Sequence, residues 1–140
     1  MRAMKLAVVS GILLAGCSQE NAQLKADCEV IANDRQGQVA IADMGTDTEG
    51  FCNCVIELVN ARPAEDKALL QATFAQVAAQ VSETGEAVEE VASQVVSVAN
   101  AAPDDEDLQT QLKGIRKVGE LIDEIGDGFS DTKACPPPAS

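Results

Sequence analysis

From residue 24 onward the apolar positions of this chain recur at helical spacing. Leu24, Cys28 and Ile31 follow an i, i+4, i+7 rhythm. The stretch QVAIADM (38–44), just after Gly37, either continues that helix or forms a separate turn. GTDTEG (45–50) reads as a loop from its composition. A helix over about 50–61 then places Phe51, Val55, Leu58 and Val59 on one face. Pro63 suits the first turn of the next helix, where its missing N–H costs nothing, and Glu65 and Asp66 lie near the positive end of that helix dipole. Leu70, Phe74, Val77 and Val81 continue the stripe until Gly85 breaks it. Val88, Val91, Ala92, Val95 and Ala99 mark another stripe, ended by Pro103. DDED (104–107) fits the N-terminal turn of a last helix whose apolar face is Leu108, Leu112, Ile115, Ile122 and Phe129. PPPAS (136–140) cannot extend a helix and is expected to form a flexible tail.

No segment alternates with period two, and no repeat of 20–50 residues is present. The Val-rich run 88–98 has strand propensity, but its length and its flanking Ala and Glu favour helix. The expected fold is all-α, a small disulfide-stapled antiparallel bundle of four to five helices. Many interior positions are Ala or Val, which lets helices approach closely.

The first residues follow different rules. MRAMKLAVVSGILLAGC (1–17) opens with Arg2 and Lys5 and continues with an apolar run from Leu6 to Ala15. A membrane-spanning helix needs about 20 apolar residues. The run is too short to span and has the length of a secretory signal's apolar part. Leu14, Ala15, Gly16 and Cys17 then match, at all four positions, the pattern Leu, small residue, Gly or Ala, Cys. The segment resembles the signal of bacterial lipoproteins, the lipobox. The resemblance covers these 17 residues of the 140-residue chain. It implies that the Cys17 sulfur takes a diacylglycerol by thioether linkage and that cleavage falls just before it. The new amino group is then usually acylated as well. Two or more acyl chains give stable anchoring, at about 0.8 kcal/mol for each buried methylene. In Gram-negative lipoproteins an Asp after the Cys tends to retain the protein at the inner membrane. Ser18 in that position resembles the outer-membrane-destined class, facing the periplasm. The competing reading is an ordinary secretory signal cut nearby, with Cys17 a stray thiol. The expected organisation is a lipoprotein signal peptide over 1–16, a lipidated N-terminus and short tether over 17–22, a helical domain over 23–135 and the tail over 136–140.

Composition then narrows the function. Removing Arg2 and Lys5 with the signal leaves 8 basic and 23 acidic residues, a net charge of −15. Such a surface repels nucleic-acid phosphates and anionic headgroups, so no nucleic acid is expected as a partner. The chain has no His, Tyr or Trp, and Phe51, Phe74 and Phe129 are its only aromatic residues. Histidine is the usual general base near neutral pH and a common metal ligand. Its absence argues against a hydrolase or a catalytic zinc site. Few aromatic rings leave no stacking platforms for bases or sugars.

Four cysteines remain besides Cys17: Cys28, Cys52, Cys54 and Cys135. In an exported chain they meet an oxidising space, and their even count suits two bridges. On a helix, Cys52 and Cys54 point about 200° apart, so they do not bond each other. They flank the buried arc of Phe51, Val55 and Leu58 on opposite sides, with Asn53, Glu57 and Asn60 on the wet face. One bridge is expected to go to Cys28 and the other to Cys135, with the assignment between Cys52 and Cys54 open. The rival reading of C-x-C is a copper(I) thiolate pair or a redox-active dithiol, and both need free thiols.

The acidic runs invite a calcium reading, which the spacing does not support. An EF-hand loop wants acidic groups at positions 1, 3 and 5 and Gly at 6. Counting from Asp123, position 6 is Gly128 but position 3 is Ile125, so a ligand point lacks its acidic group. DMGTDTEG (43–50) and DDED (104–107) fit no better, and charges at a helix start offset its dipole. No metal site and no cofactor beyond the lipid on Cys17 are expected. The sequence therefore points to a lipid-anchored envelope protein without catalysis, structural or partner-binding, with a basic envelope protein as the fitting partner. The alternative is a periplasmic redox or metal-handling protein using Cys52 and Cys54.

Overall fold

The computed structural model describes the backbone of residues 15–139 and the side chains of residues 18–139. Among the described residues there are six helices and no strand: α1 (Ala15–Ala32), α2 (Arg35–Met44), α3 (Thr48–Asn60), α4 (Ala64–Thr84), α5 (Val88–Ala101) and α6 (Glu106–Thr132). The chain is thus an all-helical bundle with one helix more than the four to five expected from sequence. The extra element arises at Asp34, which ends the run begun in α1 and caps α2 by accepting a hydrogen bond from the Gln36 N–H at 3.2 Å. QVAIADM belongs to this separate helix.

The other boundaries follow local chemistry. Gly45 closes α2 in the left-handed conformation at φ 86°, where its N–H reaches the Ile41 and Ala42 carbonyls. The expected loop 45–50 shrinks to three residues because the Asp47 carboxylate accepts the Gly50 N–H at 2.7 Å and starts α3 at Thr48. Pro63 stands one residue ahead of α4 as its cap, and Glu65 and Asp66 lie in the first turn. Gly85, at φ 69°, ends α4. Within DDED, Asp105 is the cap of α6, its Oδ1 accepting from the Asp107 and Leu108 N–H groups, both at 3.1 Å. Asp105→Ala is expected to lower stability by about 1 kcal/mol. Asp104→Ala, one residue earlier, should stay within about 0.5 kcal/mol of wild type. Urea titration of the two variants checks this contrast.

Helix α3 forms the centre. Phe51, Cys52, Cys54, Val55, Leu58 and Val59 are all buried on it, while Asn53, Glu57 and Asn60 are exposed. Around it pack Leu24, Cys28 and Ala32 of α1, Ile41 of α2, Leu70 and Phe74 of α4, and Leu121, Ile125 and Phe129 of α6. Along α6 the buried stripe runs through Leu112, Gly114, Leu121, Ile125 and Phe129. Ile122, expected on that face, is only half-buried at its flank. Val91, Val95 and Ala99 of α5 are buried at the other side of α4 and α6.

Two of the packed helix pairs run antiparallel. Cys28 meets Cys52 while Asn60 donates to Asn21 at 3.0 Å, so α1 and α3 oppose. Lys117 meets Asp66 and Gln76 meets Gln111, so α4 and α6 oppose. Helices α1 and α4, in contrast, lie side by side and parallel, Glu20 beside Lys67 and Asp27 beside Ala75. Helix α3, packed against both, is the reversing element, so the chain returns to α1 in α1's own direction.

Residues 18–22, read from sequence as tether, continue α1. Gln, Glu and Ala there are good helix formers. The segment is also docked through Asn21 on Asn60 and Glu20 on Lys67. At the other terminus Cys135 and Pro136 are half-buried, and Pro137 to Ala139 are exposed.

Candidate functional site

The four domain cysteines are brought together in two bridges. Cys28 joins Cys52 with their Cα atoms 5.8 Å apart, and Cys54 joins Cys135 at 5.5 Å, both within the range a disulfide spans. The pairing follows from what flanks α3. Helix α1 packs on the side where Cys52 points, and the chain leaving α6 crosses the side where Cys54 points. Cys28, Cys52 and Cys54 are buried in the core, whereas Cys135 is half-buried at the surface. In this state Cys52 and Cys54 belong to different bridges and offer no thiolate pair. The Cys17 side chain and the segment 1–14 lie outside the described residues, and so does most of the signal peptide read over 1–16.

The acidic run on α6 is helical throughout, so Asp123, Asp127 and Asp131 stand on a continuous helix rather than in an ion-binding loop. Together with Glu120 and Glu124 they edge an open depression beside Pro136 and Pro137. Among the described residues no group of three or more His, Cys, Asp or Glu side chains converges to hold a metal ion. Pro136 sits against Gly128, where a Cβ would come within 2.9 Å of three of its ring carbons. The bridge at Cys135 and this contact seat the first residue of the tail on α6.

Several of the carboxylates work structurally. Arg62 pairs with Glu124, and Lys117 reaches Asp66 at 3.1 Å, all four groups being about one-quarter to one-third exposed. Lys113 approaches Glu65 at 3.6 Å in a more exposed setting. These contacts lace the start of α4 to α6. Exposed pairs of this kind contribute about 0.2–1 kcal/mol each, and serve here mainly to fix the register of the two helices.

A second concavity is apolar. A groove of about 250 Å³ opens between α2 and the start of α5. Phe51 and Phe74 form its floor, and Ile41, Met44, Val88 and Ile122 its walls. Asp34 and Glu89 are its charged residues. Residues from all six helices contribute, so no local pattern in the sequence announces it. Its physical origin is the shortness of α2, which packs on α1, α3 and α6 but makes no substantial contact with α5. Only Ile41 of α2 is fully buried.

Among the described residues no helix is long and apolar enough to cross a membrane. Comparison of the chain with protein-family models, with curated proteins and with solved structures finds no match in any of the three.

Proposed function

We propose that this chain is a lipid-anchored cell-envelope lipoprotein whose mature domain has a structural or partner-binding role and no catalysis. The observation that carries the reading is the use of the cysteines. Cys28, Cys52, Cys54 and Cys135 are consumed in two bridges, a pattern suited to an oxidising compartment, and the fifth cysteine, Cys17, stands at the lipobox-like run. Ser18 after it favours outer-membrane placement facing the periplasm in an envelope with two membranes. The absence of histidine and the tying-up of acidic groups in caps and ion pairs support a non-catalytic role. Since α1 extends to Ala15 and is docked from Glu20 onward, the domain sits close to its anchor, without a long linker.

Cys17→Ala tests the anchor. The variant is expected to take up no labelled fatty acid, to remain unprocessed before residue 17 and to lose detergent-phase partitioning. Maturation and partitioning like wild type would sink the reading. The partner is expected to carry a basic surface, because the mature chain's charge of −15 speeds encounter with positive surfaces. Its association rate should fall markedly from 50 to 500 mM salt. A flat rate would assign the charge to solubility alone.

A further inference from the structure

We propose that the groove between α2 and the start of α5 docks a helical segment of a partner protein, one presenting two or three apolar side chains flanked by lysine or arginine. The inference rests on the partner-binding part of the function proposed above, and adds where the contact lies and what chemistry it selects.

Four observations choose this occupant. Above the buried Phe51 and Phe74, the groove keeps Met44, Val88 and Ile122 half-buried and uncovered on one side, because α2 stops short of α5. At about 250 Å³ the groove falls below the roughly 300–1,000 Å³ of sites that enclose a drug-sized ligand. It has room for a few side chains and would leave most of a lipid chain in water. Its position also disfavours lipid. Ile31 and Ala32, on its edge, lie at the far end of α1 from Cys17, about 20 Å along the helix at 1.5 Å per residue. Finally, its charged residues, Asp34 and Glu89, are both acidic. They repel fatty carboxylates and lipid phosphates. They also repel a second copy of this chain, whose net charge is −13 even with its signal. An amphipathic helix laid into an apolar groove, with basic residues meeting rim carboxylates, satisfies all four. Met44 on the wall supplies a pliable contact that can adapt to the entering side chains.

Photo-crosslinking in intact cells tests this on the full chain. A benzoyl-phenylalanine probe replaces Gln36, an exposed residue at the groove, and control probes replace Ala26 and Ala72, exposed residues that do not line it. The Gln36 probe is expected to give an adduct whose partner segment, mapped by mass spectrometry, has apolar residues at helical spacing beside lysine or arginine. Capture should fall several-fold in Asp34→Asn/Glu89→Gln, where asparagine keeps the α2 cap. It should be lost in Ala40→Phe, which fills the groove from α2. Thermal melts of both variants near wild type establish that they fold, and the carboxylate variant carries the test if Ala40→Phe does not. The proposal is overturned by an adduct to an acidic segment, to lipid or to a second copy, or by capture unchanged in these variants. Adducts at Ala26 or Ala72 with none at Gln36 overturn the groove alone. No adduct at any position removes the partner-binding reading itself.

Discussion

Replacing Cys54 and Cys135 together by alanine is expected to lower the unfolding free energy by about 4–5 kcal/mol. The bridge closes a loop of 81 residues, and in the chain-entropy model its removal restores that much freedom to the unfolded chain. The Cys28–Cys52 bridge closes 24 residues, for which the same model gives about 3–4 kcal/mol. The shorter loop has a second contribution. Both of its sulfurs are fully buried in the main core, so their loss also removes packing, whereas Cys135 is half-buried. The two double variants should therefore come out similar in total cost and differ in its source. Denaturant titration separates them, because a freed 81-residue loop lets the unfolded chain expose more surface. The m-value should rise more for Cys54→Ala/Cys135→Ala, and the midpoint should fall in both. The loops 28–52 and 54–135 adjoin without overlapping, so their entropic contributions add. A domain of this size has about 5–15 kcal/mol in all. Full reduction is thus expected to leave it marginal or unfolded at 37 °C. A melting temperature unchanged after reduction verified by mass would show that helix packing alone holds the bundle.

That dependence is consistent with the composition of the interior. The core of α3 contains one aromatic residue, Phe51, and otherwise valine, leucine and cysteine, and much of the α4–α5 contact is Val and Ala. Small side chains bring helices close but remove little apolar area each, at about 25 cal/mol per Å². The bridges compensate from the unfolded side. One ties the first helix to the centre, and the other ties the end of the chain to it.

The helical class was legible because capping residues and apolar spacing agreed at most boundaries. Asp105, Gly85 and Pro63 each mark an end that the structure places within a residue or two. Asp34 was harder to read, since it interrupts a polar stretch, ANDRQGQ, in which no apolar rhythm signals the break. On α6 the run LIDEIGDGF offers both Leu121 and Ile122 to the core, 100° apart on the wheel. Which one is buried depends on α2, α3 and α4 packing from different sides, information that no single helix contains. The cysteines behaved likewise. Cys52 and Cys54 are equivalent by local geometry, and their pairing is decided by the sides of α3 on which α1 and the end of α6 lie. The groove is the extreme case, since six residues from six helices, Ile31, Ile41, Phe51, Phe74, Val88 and Ile122, meet there only in the fold.

Two glycines on α6 should respond to the same substitution with opposite signs. Glycine inside a helix costs about 1 kcal/mol relative to alanine, so Gly119→Ala is expected to stabilise by about that amount. A Cβ on Gly119 would meet nothing within 4 Å. Gly114 gains the same propensity and loses more. Its added Cβ would collide with Thr73 Oγ1 and lie 3.2 Å from Thr73 Cβ on the facing α4. Thr73 is buried, and its hydroxyl donates to the Leu69 carbonyl at 2.8 Å, so swinging away breaks that bond inside the contact. The other way out is to part α4 from α6, which strains the Asp66–Lys117 contact and the packing between them. Overpacking of this kind costs about 1–3 kcal/mol, which exceeds the propensity gain through most of its range. Gly114→Ala is therefore expected to destabilise, by up to about 2 kcal/mol net. The clash belongs chiefly to one atom, and this gives the test its sharpness. In Thr73→Ala the Oγ1 is gone, and adding Gly114→Ala to it should no longer destabilise. Four urea titrations, of wild type, the two single variants and the double, measure the coupling directly. A coupling near zero would mean that the helices separate freely at this point, and that Gly114 does not set their distance.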